Sequence, residues 1–174
     1  MAVVVFMRGV NVGGYRRFRP TAVAKELARY DVVNVGATGL FVVRNPGPVN
    51  KFRAELLRRL PFDTQVAICD ARDVLELENG RFFDDQDEAP EIVRFVSVLV
   101  APVKGRLPAM PFGIPHDDGW YVKVLGSHKA FVFGLYRRHI RTIAYLGKID
   151  QALGVPVTTR KWNTIATVLK VLKA

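Results

Sequence analysis

Strand-like and helix-like segments alternate through residues 1–70 in the order β-α-β-β-α-β. Short apolar runs between turn residues predict the strands, and apolar residues spaced three or four apart predict the two helices. This order is that of a ferredoxin-like fold, in which two βαβ units interlock. Right-handed crossovers would make the first two strands parallel, with the third strand returning between them. The predicted strands are 3–7, 31–35, 40–44 and 64–69, and the predicted helices begin at Pro20 and Val49.

The remaining residues, 71–174, predict a second α/β part that we expect to pack against the first as one compact unit. The sequence as a whole therefore predicts an α+β protein, with a ferredoxin-like part at 1–70. The predicted elements of the second part are a helix at 71–78, a strand at 92–100, a loop at 101–118, a hairpin of 120–125 and 130–135 around 126–129, helical spacing at 140–153, and a last helix containing Trp162, Ile165, Leu169 and Leu172.

Charge is distributed unevenly along this basic chain, whose formal net charge is +10. Residues 1–60 carry +8, residues 61–90 carry −7, and residues 91–174 carry +9. Such a balance favours anionic partners, although the same charges can simply solvate the surface. A basic cluster at 136–141 likewise fits either phosphate contact or a solvated helix start.

The sequence lacks the signatures of secreted and membrane proteins. The lone Cys69 excludes an internal disulfide framework, which fits a reducing cytoplasm. The longest apolar run is too short to span a membrane, and the apolar start of the chain lacks the basic region and cleavage site of a signal peptide. We therefore expect a cytoplasmic protein without a membrane partner.

Motifs for metals, cofactors and common catalytic sites are also missing. The three histidines, His116, His128 and His139, are dispersed, and no spacing resembles a zinc site. The acidic runs lack the glycine and terminal glutamate of a calcium loop. The sequence contains no P-loop, no dinucleotide fingerprint and no nucleophile elbow. We expect no metal and no cofactor.

The first candidate site is the glycine-rich segment 8–14, Arg-Gly-Val-Asn-Val-Gly-Gly, which follows the first strand. Glycines allow backbone angles closed to other residues, and exposed N–H groups there can cradle an anion. Arg8 can hold phosphate or carboxylate with two parallel hydrogen bonds, and Asn11 can donate or accept. The predicted topology places this segment beside the turn at 36–39, which carries Thr38. The segment is either a ligand-binding loop or a tight structural turn.

The second candidate segment is 158–164, Thr-Thr-Arg-Lys-Trp-Asn-Thr, at the start of the predicted last helix. Thr159 can cap this helix, which places Arg160 and Lys161 in its first turn. Cations there oppose the helix dipole at a cost of about 0.3–1 kcal/mol each, and a bound anion would relieve that cost. A cap at Asn163 would instead leave both cations in the preceding loop. Trp162, which follows Lys161, fits either the core or a base-stacking platform.

Both segments resemble the signature of a bacterial family, the domain of unknown function DUF1697. Its members carry Arg-Gly-Ile-Asn-Val-Gly-Gly after the first strand, which residues 8–14 match with Val10 for isoleucine. They also carry Thr-x-Arg-Asn-Trp-Asn-Thr late in the chain, which 158–164 match with Lys161 for asparagine. At the second hairpin the family has Gln-Ser-Gly-Asn, whereas residues 37–40 read Ala-Thr-Gly-Leu. The resemblance implies a shared fold and a shared site, which is altered or lost here if the hairpin contributes to it, and it names no reaction.

Three kinds of function fit these observations. The leading hypothesis is an anion-binding domain for nucleic acid or a phosphorylated ligand. An alternative is a small enzyme acting on a phosphorylated or carboxylated metabolite, although the sequence offers no evident general base. A third is a structural interaction scaffold, in which both segments only brace the fold. The predicted ligand-binding residues are Arg8, Asn11, Gly13, Gly14, Thr38, Thr159, Arg160, Lys161 and Asn163.

Overall fold

Two antiparallel sheets organise the part of the chain that this computed structural model describes, namely residues 1–11, 14 and 16–174. The chain divides into two units. The first unit comprises Met1–Glu78 together with Thr167–Ala174, and the second comprises Asn79–Ala166. Each sheet lies within one unit. None of the described helices has the length and apolar run that a bilayer crossing requires.

The first unit contains a four-stranded sheet and three helices. Its elements are β1 (Val3–Met7), α1 (Pro20–Glu26), a 3₁₀ turn (Ala28–Tyr30), β2 (Val32–Asn34), β3 (Leu40–Val43), α2 (Val49–Arg58), β4 (Val66–Asp70) and α3 (Ala71–Asn79). The strand order is β2-β3-β1-β4, and β1 pairs antiparallel with both β3 and β4. Since β3 is also antiparallel to β2, β1 and β2 run in the same direction with β3 between them. This arrangement confirms the ferredoxin-like order predicted from the sequence.

Burial on both faces explains the unbroken apolar run of β1, all five residues of which are buried. Val3, Val5 and Met7 point to one face and belong to the same apolar cluster as Phe52 and Leu56 of α2. The helix α2 therefore covers the sheet with the apolar stripe that its spacing predicted. The first segment of the candidate site begins where this buried strand ends.

The second unit contains a five-stranded sheet in which every neighbouring pair is antiparallel. The strand order is β6-β7-β8-β5-β9. The last helix, α6, begins in this unit, and its final residues belong to the first. The elements are β5 (Ile92–Leu99), β6 (Phe112–Ile114), β7 (Val122–His128), β8 (Phe131–Arg137), α4 (Thr142–Leu146), α5 (Ile149–Leu153), β9 (Val157–Lys161) and α6 (Trp162–Lys173).

The helical spacing at 140–153 is realised as two short helices, α4 and α5. Two other local predictions for the second unit are wrong. The hairpin turn is not at 126–129, because β7, which contains a register shift, continues to His128 and leaves the turn at 129–130. Thr159 does not cap the last helix, because its hydrogen-bonding groups join a strand that pairs with β5.

Candidate anion-binding site

Asn11 closes the loop that follows β1. Its backbone is left-handed, with φ at +52°, a conformation that asparagine tolerates better than most residues. Its Nδ2 donates to the carbonyl oxygens of Phe18 at 3.1 Å and Ala37 at 2.7 Å, and its Oδ1 accepts from the N–H of Phe18 at 2.9 Å. Because both amide hydrogens are engaged in this way, the side chain positions the loop. The bond to Ala37 confirms the prediction that this loop lies beside the turn at 36–39.

Two glycines allow close approach at this end of the first unit. Gly14 has φ at +80°, and a β-carbon there would lie 3.0 Å from Nη2 of Arg17. Gly39 has φ at +72°, and a β-carbon there would lie 2.7 Å from the β-carbon of Met7. Both positions favour glycine for its backbone conformation, and Gly39 also requires it for space, whereas the flexible Arg17 side chain could move away from a β-carbon at position 14.

An open cavity of about 720 Å³ lies beside the Asn11 loop. Arg17 and Arg19 are its charged residues, and both are exposed. None of its described lining residues carries a carboxylate, and the first acidic residue in the sequence is Glu26. The cavity is therefore electropositive. Its described lining residues are Asn11, Gly14, Arg17, Phe18, Arg19, Pro20, Thr21 and Ala37.

Arg8, a predicted site residue, is not among the described residues that line this cavity. Its Nη1 donates to Oε1 of Gln65 at 2.8 Å, and its carbonyl oxygen accepts from the Thr64 hydroxyl at 2.7 Å. The same hydroxyl lies 3.4 Å from Nη1 of Arg16, which donates to it. These bonds hold Arg8 and Arg16 against the residues that lead into β4.

Sequence analysis missed Arg17 and Arg19, which come after the segment that the motif singled out. The signal that could have found them is charge, because the first 25 residues contain five cations and no carboxylate. Of the other predicted residues, Thr38 is exposed on the turn that follows Ala37. Gly13 lies outside the described residues.

The predicted residues of the second segment lie mainly on β9. Alternate residues of a strand face opposite sides, so Arg160 shares a face with Thr158 and not with Thr159. Nη1 of Arg160 donates to the Thr158 hydroxyl at 2.6 Å, and the Thr159 hydroxyl lies 2.6 Å from that of Ser97 on β5. Burial lowers the pKa of the Arg160 guanidinium to about 10, so it remains charged at neutral pH.

Lys161 and Asn163 line a different cavity, of about 510 Å³, within the second unit. Its lining mixes both signs of charge, because the carboxylates of Asp87 and Glu88 face it together with cations. Glu88 forms an ion pair of 3.3 Å with Arg94. An anion in this cavity would meet carboxylates as well as cations, which makes it less suited to phosphate than the cavity of the first unit.

Among the residues that the structure describes, no group of three or more histidine, cysteine, aspartate or glutamate side chains could hold a metal ion. The thiol of Cys69 is buried, and burial raises its pKa to about 12. A thiol with so high a pKa carries little thiolate at neutral pH and is a poor nucleophile.

The fold is similar to that of a solved structure, the conserved bacterial protein SP0830 from Streptococcus pneumoniae. The TM-score is 0.62 at 15% sequence identity, and the match covers 98% of each chain. At this identity the likeness shows the α+β fold alone. No protein-family model matches the chain. No curated protein matches it in sequence either.

Proposed function

We propose that this protein binds a phosphate group, carried by a small ligand or by nucleic acid, in the cavity of the first unit. The observation that carries the proposal is that Arg17 and Arg19 line this cavity with no carboxylate among its described residues. A guanidinium matches phosphate with two parallel, charge-assisted hydrogen bonds. The cavity volume of about 720 Å³ also falls within the range of about 300–1,000 Å³ that is typical of small-molecule pockets.

Other residues of the loop would act by positioning these arginines. Asn11 ties the backbone of Phe18, which stands between the two arginines, to the turn at Ala37. Gly14 leaves the space into which the guanidinium of Arg17 packs. In this proposal the exposed Thr38, on the turn that Asn11 contacts, belongs to the same site.

The proposal assigns a bracing role to the second segment. Arg160 and Thr159 make hydrogen bonds within the sheet of the second unit. Lys161 and Asn163 line the cavity of mixed charge. The proposed phosphate-binding residues therefore all lie in the first unit.

We further propose that the chain is a member of DUF1697 that acts in the cytoplasm. The segments at 8–14 and 158–164 support membership. The single, buried cysteine suits a reducing compartment.

Two titrations test the phosphate site. Calorimetry with pyrophosphate measures the affinity for a small phosphorylated ligand, and fluorescence anisotropy with labelled single-stranded RNA measures the affinity for nucleic acid. Replacing Arg17 and Arg19 together with alanine should weaken phosphate binding by about tenfold or more, because two charge-assisted contacts are lost. If RNA is the ligand, its affinity should fall steeply with salt, and the double variant should reduce the salt slope by about two.

Arg58→Ala is the matched control, because Arg58 is an exposed arginine of the first unit that does not line the cavity. It should leave the affinity for either probe unchanged. If the control and the double variant lost affinity equally, the loss would come from the overall charge of the protein. That result would contradict the proposed site. Failure of both probes to bind at low salt would overturn the function itself.

A further inference from the structure

A basic stretch of the second unit takes no part in the proposed phosphate site. Residues 119–149 contain six lysines and arginines and no aspartate or glutamate. Its end, which we call the basic tip, comprises residues 137–148 and includes α4. Arg138, Arg141 and Lys148 are exposed there, and Arg138 also lines the cavity of mixed charge that Asp87 and Glu88 face. A surface with this charge attracts a polyanion.

Two isoleucines stand out from the basic tip. Ile140 is 89% exposed and Ile143 is 80% exposed, more than any other large hydrophobic side chain that the structure describes. Exposure this complete means that the side chains protrude and do not line a groove. Arg141 lies between them in sequence, and Arg138 precedes them, so cations flank the apolar pair. Neighbouring exposed apolar side chains within a charged surface indicate an interaction site.

The aromatic rings near the basic tip are engaged with other side chains of the second unit. Tyr121 stacks on Tyr145 with ring centroids 5.2 Å apart, and the ring of His139 lies 4.9 Å from that of Tyr121. The guanidinium of Arg137 covers Trp120 at 4.0 Å. These rings brace the tip, and two cations also contact the protein: Nε of Arg138 donates to the Pro90 carbonyl at 2.9 Å, and Nζ of Lys148 lies 5.1 Å from the ring centroid of Tyr145. Ile140 and Ile143, by contrast, are exposed.

We propose that the basic tip binds duplex DNA, with Ile140 and Ile143 inserted between base pairs from the minor groove and the neighbouring cations on the flanking phosphates. Proteins that bend DNA in this way combine apolar wedges with arginines and lysines at the groove. The inference uses residues separate from those of the phosphate site and stands independently of it.

Three other occupants fit this surface less well. A second copy of the chain that docked tip to tip would bring two positive surfaces together. A single strand is held by exposed aromatic platforms, and the rings described above are already engaged. An anionic bilayer rewards a large buried apolar area and aromatic anchors, whereas the tip offers two aliphatic side chains.

The test is a titration of the full chain into a DNA duplex of about 20 base pairs that carries a fluorophore at each end. Anisotropy reports binding, and energy transfer between the ends reports bending. The wild type should bind and raise the transfer. Ile140→Ser combined with Ile143→Ser should abolish the rise and weaken binding by about fivefold or more, because the wedge is lost. Arg141→Ala combined with Lys148→Ala should lower the salt slope by about two.

Val49→Ser is the matched control, because Val49 is a partly exposed aliphatic residue of the first unit. It should leave binding and bending unchanged. Bending that survives the isoleucine replacements, or no DNA binding at low salt, would overturn the inference. The inference would also be overturned if the protein bound phosphatidylglycerol vesicles through the two isoleucines and did not bend DNA. The Arg17 and Arg19 variant should still bend DNA, which separates failure here from failure of the phosphate site.

Discussion

The side-chain amide of Asn11 donates to the carbonyl of Ala37 across 2.7 Å, which ties the loop after β1 to the turn between β2 and β3. The same amide also holds Phe18 at 3.1 Å. Replacing Asn11 with glycine removes these bonds but keeps a residue that tolerates its left-handed backbone. We expect Asn11→Gly to lower the free energy of unfolding by about 1–3 kcal/mol in urea titrations. It should also weaken pyrophosphate binding, because the loop that carries Arg17 is no longer held against the turn at Ala37.

Asn11→Ala separates hydrogen bonding from backbone strain. Alanine loses the same bonds and must also adopt φ at +52°, which costs about a further 1 kcal/mol. We therefore expect the alanine variant to be less stable than the glycine variant. A glycine variant as stable as the wild type would mean that the side-chain bonds do not hold the loop.

Gly39→Ala tests how closely the end of β1 approaches the same turn. A β-carbon at Gly39 would lie 2.7 Å from Met7 and 2.8 Å from Val10, and φ is +72°. We expect the free energy of unfolding to fall by about 2–4 kcal/mol, measured in urea. Gly36→Ala is the matched control, because its φ is +73° but nothing lies within 4 Å. Gly36→Ala should lower the free energy of unfolding only by the backbone strain of about 1 kcal/mol. If both variants lost the same free energy, the side chains of Met7 and Val10 would have moved to make room for the new β-carbon.

The fold of the first unit was predictable because its determinants are local. The apolar run Val3–Met7 marks a buried strand, and Pro20 marks the start of a helix. Once the element order was known, the handedness of crossovers placed β3 between β1 and β2. The same reasoning brought the glycine-rich loop to the turn that follows β2, as the Asn11 contact confirms.

The candidate site was predictable only in part, because its geometry depends on contacts between distant residues. A threonine before a helix favours a cap, but Thr159 lies opposite Ser97, 62 residues away, and this pairing keeps it in a strand. The role of Asn11 likewise depends on Ala37, and the motif alone does not distinguish a ligand contact from a loop closure. Arg17 and Arg19 follow the motif and were missed, and the charge of the segment is the signal that could have found them.

The carboxyl of Glu55 gives the first unit a specific acid sensitivity. It accepts a hydrogen bond from the Tyr30 hydroxyl at 2.5 Å and another from Arg59 at 3.2 Å. These bonds, that of Tyr30 above all, hold the pKa of Glu55 below its usual value. A lowered pKa in the folded state stabilises the protein above the unfolded-state pKa, and this stability is lost as pH falls through the folded value. We expect the free energy of unfolding in urea to decline below about pH 4.5.

Glu55→Gln should be less stable than the wild type at pH 7 and should lose part of this acid-dependent decline. Asp63→Asn is the control, because Asp63 is an exposed carboxylate of the first unit whose removal should leave the decline unchanged. An acid profile in Glu55→Gln that parallels the wild type would contradict the assignment.

Arg160→Ala tests whether the second segment braces the sheet or binds the ligand. The guanidinium donates to the Thr158 hydroxyl at 2.6 Å and to the Thr159 carbonyl at 3.1 Å, so its loss should lower the free energy of unfolding by about 1–3 kcal/mol. The affinity for pyrophosphate, measured by calorimetry below the melting transition, should not change, because the proposed phosphate site lies in the first unit. Arg160→Lys keeps the charge but not the planar fork, so it should recover only part of the stability. A variant that folds as stably as the wild type but loses pyrophosphate would instead place the phosphate site on β9.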